Sequence, residues 1–117
     1  MIIKVVNIKT FRPDQEAPGV LVYIGRRTPK YSGSVLANPF KLTDYESRKA
    51  CLQAYTNRLR HLCDPFDEPS PESAEFQAEL DRLTEIAENG NLYLACWCAP
   101  EICHGDAIKA EIEERLK

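Results

Sequence analysis

Apolar residues are arranged along the chain in two ways, as short unbroken runs and as stripes at helical spacing. Ile2 to Ile8 is rich in β-branched residues, and Val20-Leu21-Val22-Tyr23-Ile24 is a second run closed by Gly25. Both read as strands. Between Arg26 and Phe40, Thr28-Pro29, Ser32-Gly33-Ser34 and Asn38-Pro39 are turn signals without helical periodicity, which predicts a long loop. Leu52, Tyr55, Leu59 and Leu62 form a helical stripe, and Thr43 with Glu46 offers a capping box, so a helix is expected over about residues 44 to 62. The stretch Asp64-Pro65-Phe66-Asp67-Glu68-Pro69 breaks it, and Ser70-Pro71 has the order that caps and starts another. That second helix carries Phe76, Leu80, Leu83 and Ala87 on one face and stops at Asn89-Gly90. Leu92 to Cys98 has strand length, and Ile108, Ile112 and Leu116 give a last helix its buried stripe.

The order strand, strand, helix, helix, strand, helix predicts a small Rossmann-like layered α/β domain with a short mixed or parallel sheet and about three helices. The second and third strands are parallel if the helices form their crossover, and the first two are candidates for a hairpin. The 117 residues suffice for one hydrophobic core, so a single domain over 1–117 is expected.

An apolar fraction of 44% with 28% charged residues excludes wholesale disorder, and no stretch has the length of a membrane span. Met1 to Asn7 lacks the features of a secretory signal, which predicts a cytoplasmic protein. Five cysteines are an odd set, better read there as buried thiols, metal ligands or reactive groups than as disulfides. Charge divides along the chain: residues 1–60 carry a formal +7 and residues 61–117 carry −10. A basic surface would steer an anionic ligand, unless the halves neutralise each other. The pI of 5.4 argues against a dedicated nucleic-acid binder.

If the second and third strands are parallel, Gly25-Arg26-Arg27 and Cys96-Trp97-Cys98 lie at the same carboxyl edge of the sheet, where open α/β sheets bind ligands. Strand alternation would put Cys96 and Cys98 on one face. Cys103 falls where the last helix begins, and the positive helix end favours its thiolate, while burial opposes ionisation. His104 is a candidate proton carrier, and Asp106 its partner or a helix-start acceptor. Three readings stand for Cys96 to Asp106: buried thiols with helix caps, a reactive or ligand-binding site, and a metal or iron–sulfur site using Cys96, Cys98 and Cys103. Arg26 presents a guanidinium fork suited to phosphate or carboxylate, and Asn38 a side-chain amide to the same ligand. Cys51 and Cys63 read as core, and His61 as a surface residue.

Tyr23-Ile24-Gly25-Arg26, Asn38-Pro39-Phe40, Arg48 with Tyr55, and Cys96-Trp97-Cys98-Ala99-Pro100 with Cys103-His104-Gly105-Asp106 together resemble domain-of-unknown-function family 4326, found in bacteria and their phages. The resemblance implies a small α/β domain without an established reaction or cofactor, and marks Gly25, Arg26, Asn38, Pro39, Phe40, Arg48, Cys96, Cys98, Pro100, Cys103, His104, Gly105 and Asp106 as its characteristic set. Two positions depart from its pattern: Ala37, where Gly often precedes Asn-Pro-Phe, and Arg58, where Trp is common. The expected function is binding or processing of a nucleotide or other phosphorylated metabolite. Gly25, Arg26, Asn38, Arg48 and Cys98 would bind it, and Cys103, His104 and Asp106 would carry any chemistry. The alternative is a non-catalytic metal-binding or protein-interaction module with structural cysteines.

Overall fold

The computed structural model describes residues 2–66 and 70–117. The elements are β1 (Ile3–Asn7), β2 (Gly19–Tyr23), α1 (Arg48–Cys63), α2 (Pro71–Asn89), β3 (Asn91–Cys96) and α3 (His104–Arg115). The break expected over 64–69 falls in part at 67–69, outside the described residues. Among the described residues no helix is long and apolar enough to cross a membrane.

The sheet is parallel throughout, in the order β1-β3-β2, with Ile3 opposite Leu92 and Val22 opposite Leu94. The parallel pairing expected of β2 and β3 is present, but the hairpin of β1 and β2 is not: both flank β3 and neither touches the other. The reason lies in the face that their connection covers. Residues 8–18 return across the sheet, where Phe11 packs on Tyr93 at 5.2 Å between ring centroids and Ala17 O accepts the Tyr93 hydroxyl at 2.5 Å. Val6, Tyr93 and Ala95 are thereby buried together with Ile8 and Phe11. A tight turn would leave this apolar patch open to water.

All three helices pack on the opposite face. Val22, Leu92, Leu94 and Cys96 meet Tyr55 and Leu59 of α1, Leu80 and Leu83 of α2, and Ile108 and Ile112 of α3. Central β3 is buried from Leu92 to Cys96, in keeping with its unbroken apolar run. It ends at Cys96 rather than Cys98, so strand alternation does not relate the two cysteines. Beyond it Cys98 O accepts from Glu101 N at 2.8 Å and the chain turns toward α3.

The helix starts show which caps win. Ser70 accepts from Ser73 N at 3.0 Å and Pro71 opens α2 as its position predicts. The Thr43/Glu46 box does not form. Leu42–Asp44 is a short 3-10 turn, Tyr45 is extended, and α1 starts four residues later, where Ser47 Oγ accepts from Ala50 N at 3.1 Å. Phe40 and Tyr45 meet edge-on at 6.0 Å, holding this segment away from the helix axis.

Candidate functional site

The loops after β2 and β3 and the start of α1 enclose a cavity of about 510 Å³ at the carboxyl edge of the sheet. That volume suits a metabolite-sized ligand. Each element contributes a different chemistry. Tyr23, Phe40, Leu42, Leu52, Trp97 and Ile102 form apolar and aromatic wall, and Arg26, Lys41 and Arg48 bring positive charge with no Asp or Glu among the lining residues. Cys51, Cys96, Cys98 and Cys103 supply four sulfurs, and Gly25, Asn38 and His104 complete the candidate set brought together. Asp106 is exposed and does not line the cavity.

The first wall is built by β2 and the loop that follows. Tyr23 folds back so that its hydroxyl donates to Arg26 O at 2.6 Å and accepts from Trp97 Nε1 at 2.9 Å. Its ring occupies the space above Gly25: a Cβ there would overlap the phenol, so the close approach requires glycine. Tyr31 packs on Tyr23 with its ring tilted by 33° and meets Trp97 edge-on, tying the two loops together. Arg26 donates Nε to Asn38 O at 2.8 Å and Nη2 to Phe40 O at 2.9 Å. Two of its donors therefore hold the Asn-Pro-Phe loop in place. Asn38 is likewise engaged locally, with Oδ1 accepting from Phe40 N at 2.9 Å and Nδ2 3.7 Å from Cys51 Sγ.

Arg48 and Lys41 are different. Neither side chain makes a hydrogen bond or ion pair with a described residue. Arg48 is half-buried at the first position of α1, the end at which the helix dipole disfavours a cation, and that first turn carries no acidic residue.

The second wall is the segment from Cys96 to Asp106. The Cys96 and Cys103 sulfurs lie 3.2 Å apart, both almost fully buried from bulk water. The hydrogen bond from Cys103 and the backbone N–H groups of Cys98 and Ala99 outweigh burial and lower the Cys96 pKa from 9.0 to about 6. Cys103 is driven upward, first because it is the donor to Cys96 and second by burial, although Gly105 N donates to its sulfur at 3.3 Å. The positive helix end favours a thiolate at Cys103, but the contact with Cys96 and burial both push the Cys103 thiol up, whereas the same contact lowers Cys96. A buried pair of sulfurs at this distance does not ionise twice.

His104 is also held in a defined state. Its Nε2 lies 2.7 Å from Ile24 O, and a carbonyl only accepts, so Nε2 carries the proton and Nδ1 the lone pair. Burial lowers its pKa, and Tyr55 packs edge-on against the ring at 5.2 Å. Asp106 is not its hydrogen-bond partner. Asp106 Oδ2 accepts from Cys103 N at 2.9 Å and, with the Cys103 sulfur as cap, closes a capping box at the start of α3. The geometry of Asp106 is that of a helix-start acceptor.

Three contributors carried no role in the sequence reading. Lys41 directly follows Asn-Pro-Phe, Cys51 reads as core but also borders the cavity, and Asn7 donates Nδ2 to Trp97 O at 3.2 Å and Ala99 O at 3.0 Å. Asn7 was detectable as the one polar residue ending an apolar parallel strand. Among the described residues no three His, Cys, Asp or Glu side chains come together in a group able to hold a metal ion.

No curated protein and no solved structure is similar enough to this chain to match it. The family pattern of a domain of unknown function, DUF4326, matches residues 6–114 and so takes in both walls of the cavity. The chain belongs to the DUF4326 family.

Proposed function

We propose that the protein binds a small ligand combining an anionic group with a flat ring, a nucleotide or similar phosphorylated metabolite, in the cavity at the carboxyl edge of the sheet. The observation that carries this reading is the lining itself: three cationic side chains and no carboxylate beside an aromatic wall of Tyr23, Phe40 and Trp97. Arg48 and Lys41 hold the phosphate, since neither side chain is engaged by a described residue, and Arg26 serves mainly to shape the loop that presents Lys41. An anion beside Arg48 also offsets the unfavourable placement of that cation at a helix start. The ring stacks against Trp97 or Phe40. Any chemistry falls to Cys96 as the ionised sulfur, with Cys103 as proton donor to it and His104 Nδ1 as an acceptor at the cavity wall.

The test is a thermal-shift panel of AMP, ATP, ribose 5-phosphate, adenosine and inorganic phosphate. A ligand at ten times its Kd stabilises by about 1.4 kcal/mol, roughly 5 °C for a chain of this length. AMP or ATP should shift Tm by this order and exceed both adenosine and inorganic phosphate. A panel without any shift removes the reading.

A further inference from the structure

We propose that Cys96 and Cys103 form a redox-active dithiol, in which Cys96 attacks a hydroperoxide and Cys103 resolves the product to an intramolecular disulfide. This goes beyond ligand binding and does not depend on it. Two geometric facts carry it, and the electrostatics of Cys96 support them. The two sulfurs are 3.2 Å apart, so little movement separates them from bonding distance. Both border the cavity, which gives a small oxidant a route to sulfurs that are otherwise buried. The Cys103 contact and the adjoining backbone of Cys98 and Ala99 also lower the Cys96 pKa, which favours the charge that the attacking sulfur needs. Cys51, although it also borders the cavity, is placed against Asn38 and the Phe40 carbonyl rather than another sulfur.

The chemistry balances as follows. The Cys96 thiolate gives an electron pair to the outer peroxide oxygen; an S–O bond forms, the O–O bond breaks, and the departing alkoxide or hydroxide takes a proton from water. Cys96 is then a sulfenic acid. Cys103 loses its proton and attacks the Cys96 sulfur; the S–S bond forms, the S–O bond breaks, and hydroxide leaves as water with that proton. In sum, two thiols and one hydroperoxide give one disulfide, one alcohol (water, if the oxidant is hydrogen peroxide) and one water. The sulfurs supply the two electrons. A dithiol reductant returns the pair by exchange.

The loop between the two cysteines makes the assignment readable. Chymotryptic cleavage after Trp97 separates Cys96 from Cys98, and cleavage after Glu101 separates both from Cys103. The native protein is treated with one equivalent of hydrogen peroxide at pH 7, blocked with an alkylating agent and mapped by mass spectrometry. The expected product is a Cys96–Cys103 link, reversed by dithiothreitol, while Cys51 and Cys63 stay alkylated. In Cys103→Ser, which retains a helix-capping side chain, dimedone should label Cys96 as the trapped sulfenic acid. Oxidation that begins at Cys51, Cys63 or Cys98, or a Cys96–Cys98 link, overturns the proposal, as does a pair that remains reduced. The mapping uses no ligand, so its outcome is separate from that of the binding panel.

Discussion

Arg26 spans twelve residues to hold Asn38, donating Nε to its carbonyl at 2.8 Å while Nη2 reaches the Phe40 carbonyl at 2.9 Å. The arginine of the Tyr-Ile-Gly-Arg segment is thus joined to the Asn-Pro-Phe segment, and one segment holds the other in the cavity wall. This changes what a substitution at Arg26 means. Arg26→Ala removes two charge-assisted hydrogen bonds and should cost about 1–3 kcal/mol of stability, read as a lower urea midpoint. Lys has no planar fork to reach both carbonyls, so Arg26→Lys should recover less than half of that loss. A variant as stable as wild type would show that the loop is held by other means.

Arg48 separates binding from folding. Arg48→Ala removes no side-chain hydrogen bond or ion pair with a described residue and relieves a cation at a helix start, so its stability should lie within about 0.5 kcal/mol of wild type. Its affinity for AMP should fall about 10- to 100-fold, the equivalent of one charged hydrogen bond of roughly 1.5–3 kcal/mol. Isothermal calorimetry on folded variant decides it. Lys41→Ala should act in the same direction with a smaller effect, and raised salt should weaken wild-type binding.

Acid should destabilise the protein in two steps. The folded-state pKa of Cys96 is depressed to about 6 from 9.0, so its contribution is complete above about pH 9 and is lost as pH falls toward 6. Cys103 is shifted upward, and its contribution is complete below about pH 9 and lost above it. His104 is depressed from 6.5, so its contribution is present above that value and is lost as pH falls through its folded pKa. Urea midpoints should therefore decline from pH 9 to 6 and again below about pH 6.5. Cys96→Ala should flatten the first limb and leave the second. A wild-type midpoint that rises on acidification over this range contradicts these assignments.

Asp106 tests the distinction between a cap and a catalytic partner. Asp106→Ala opens the capping box on Cys103 N and should cost about 1 kcal/mol, with AMP affinity within twofold of wild type. Loss of affinity without loss of stability would return Asp106 to the ligand site.

Much of this arrangement was legible from local chemistry. Two helices between β2 and β3 imply a parallel crossover, and that alone brings Arg26 and Cys96 to one edge. Ser70-Pro71 marks a helix start because cap and fixed backbone angle act within one turn. What was not legible depends on contacts distant in sequence. The span from β1 to β2 holds only a short 3-10 turn at Pro13–Gln15 and reads as a hairpin loop, until Phe11 and Ala17 are seen to serve Tyr93 more than seventy residues away. Thr43 and Ser47 both have capping side chains, and the packing of Phe40 on Tyr45 accompanies use of the second. The helix end taken alone favours a thiolate at Cys103, but the contact with Cys96 Sγ, 3.2 Å away, and burial push the Cys103 thiol up.

Trp97 is the sole tryptophan, borders the cavity and donates to Tyr23, so its emission reports on that site alone. The most direct measurement is a fluorescence titration of the native protein with AMP, run beside calorimetry on the same sample. Occupation of the cavity predicts a saturable change in Trp97 emission whose midpoint matches the calorimetric Kd and is displaced to higher AMP in Arg48→Ala. Calorimetric binding of AMP with unaltered Trp97 emission, or no binding of AMP by either method, would contradict it.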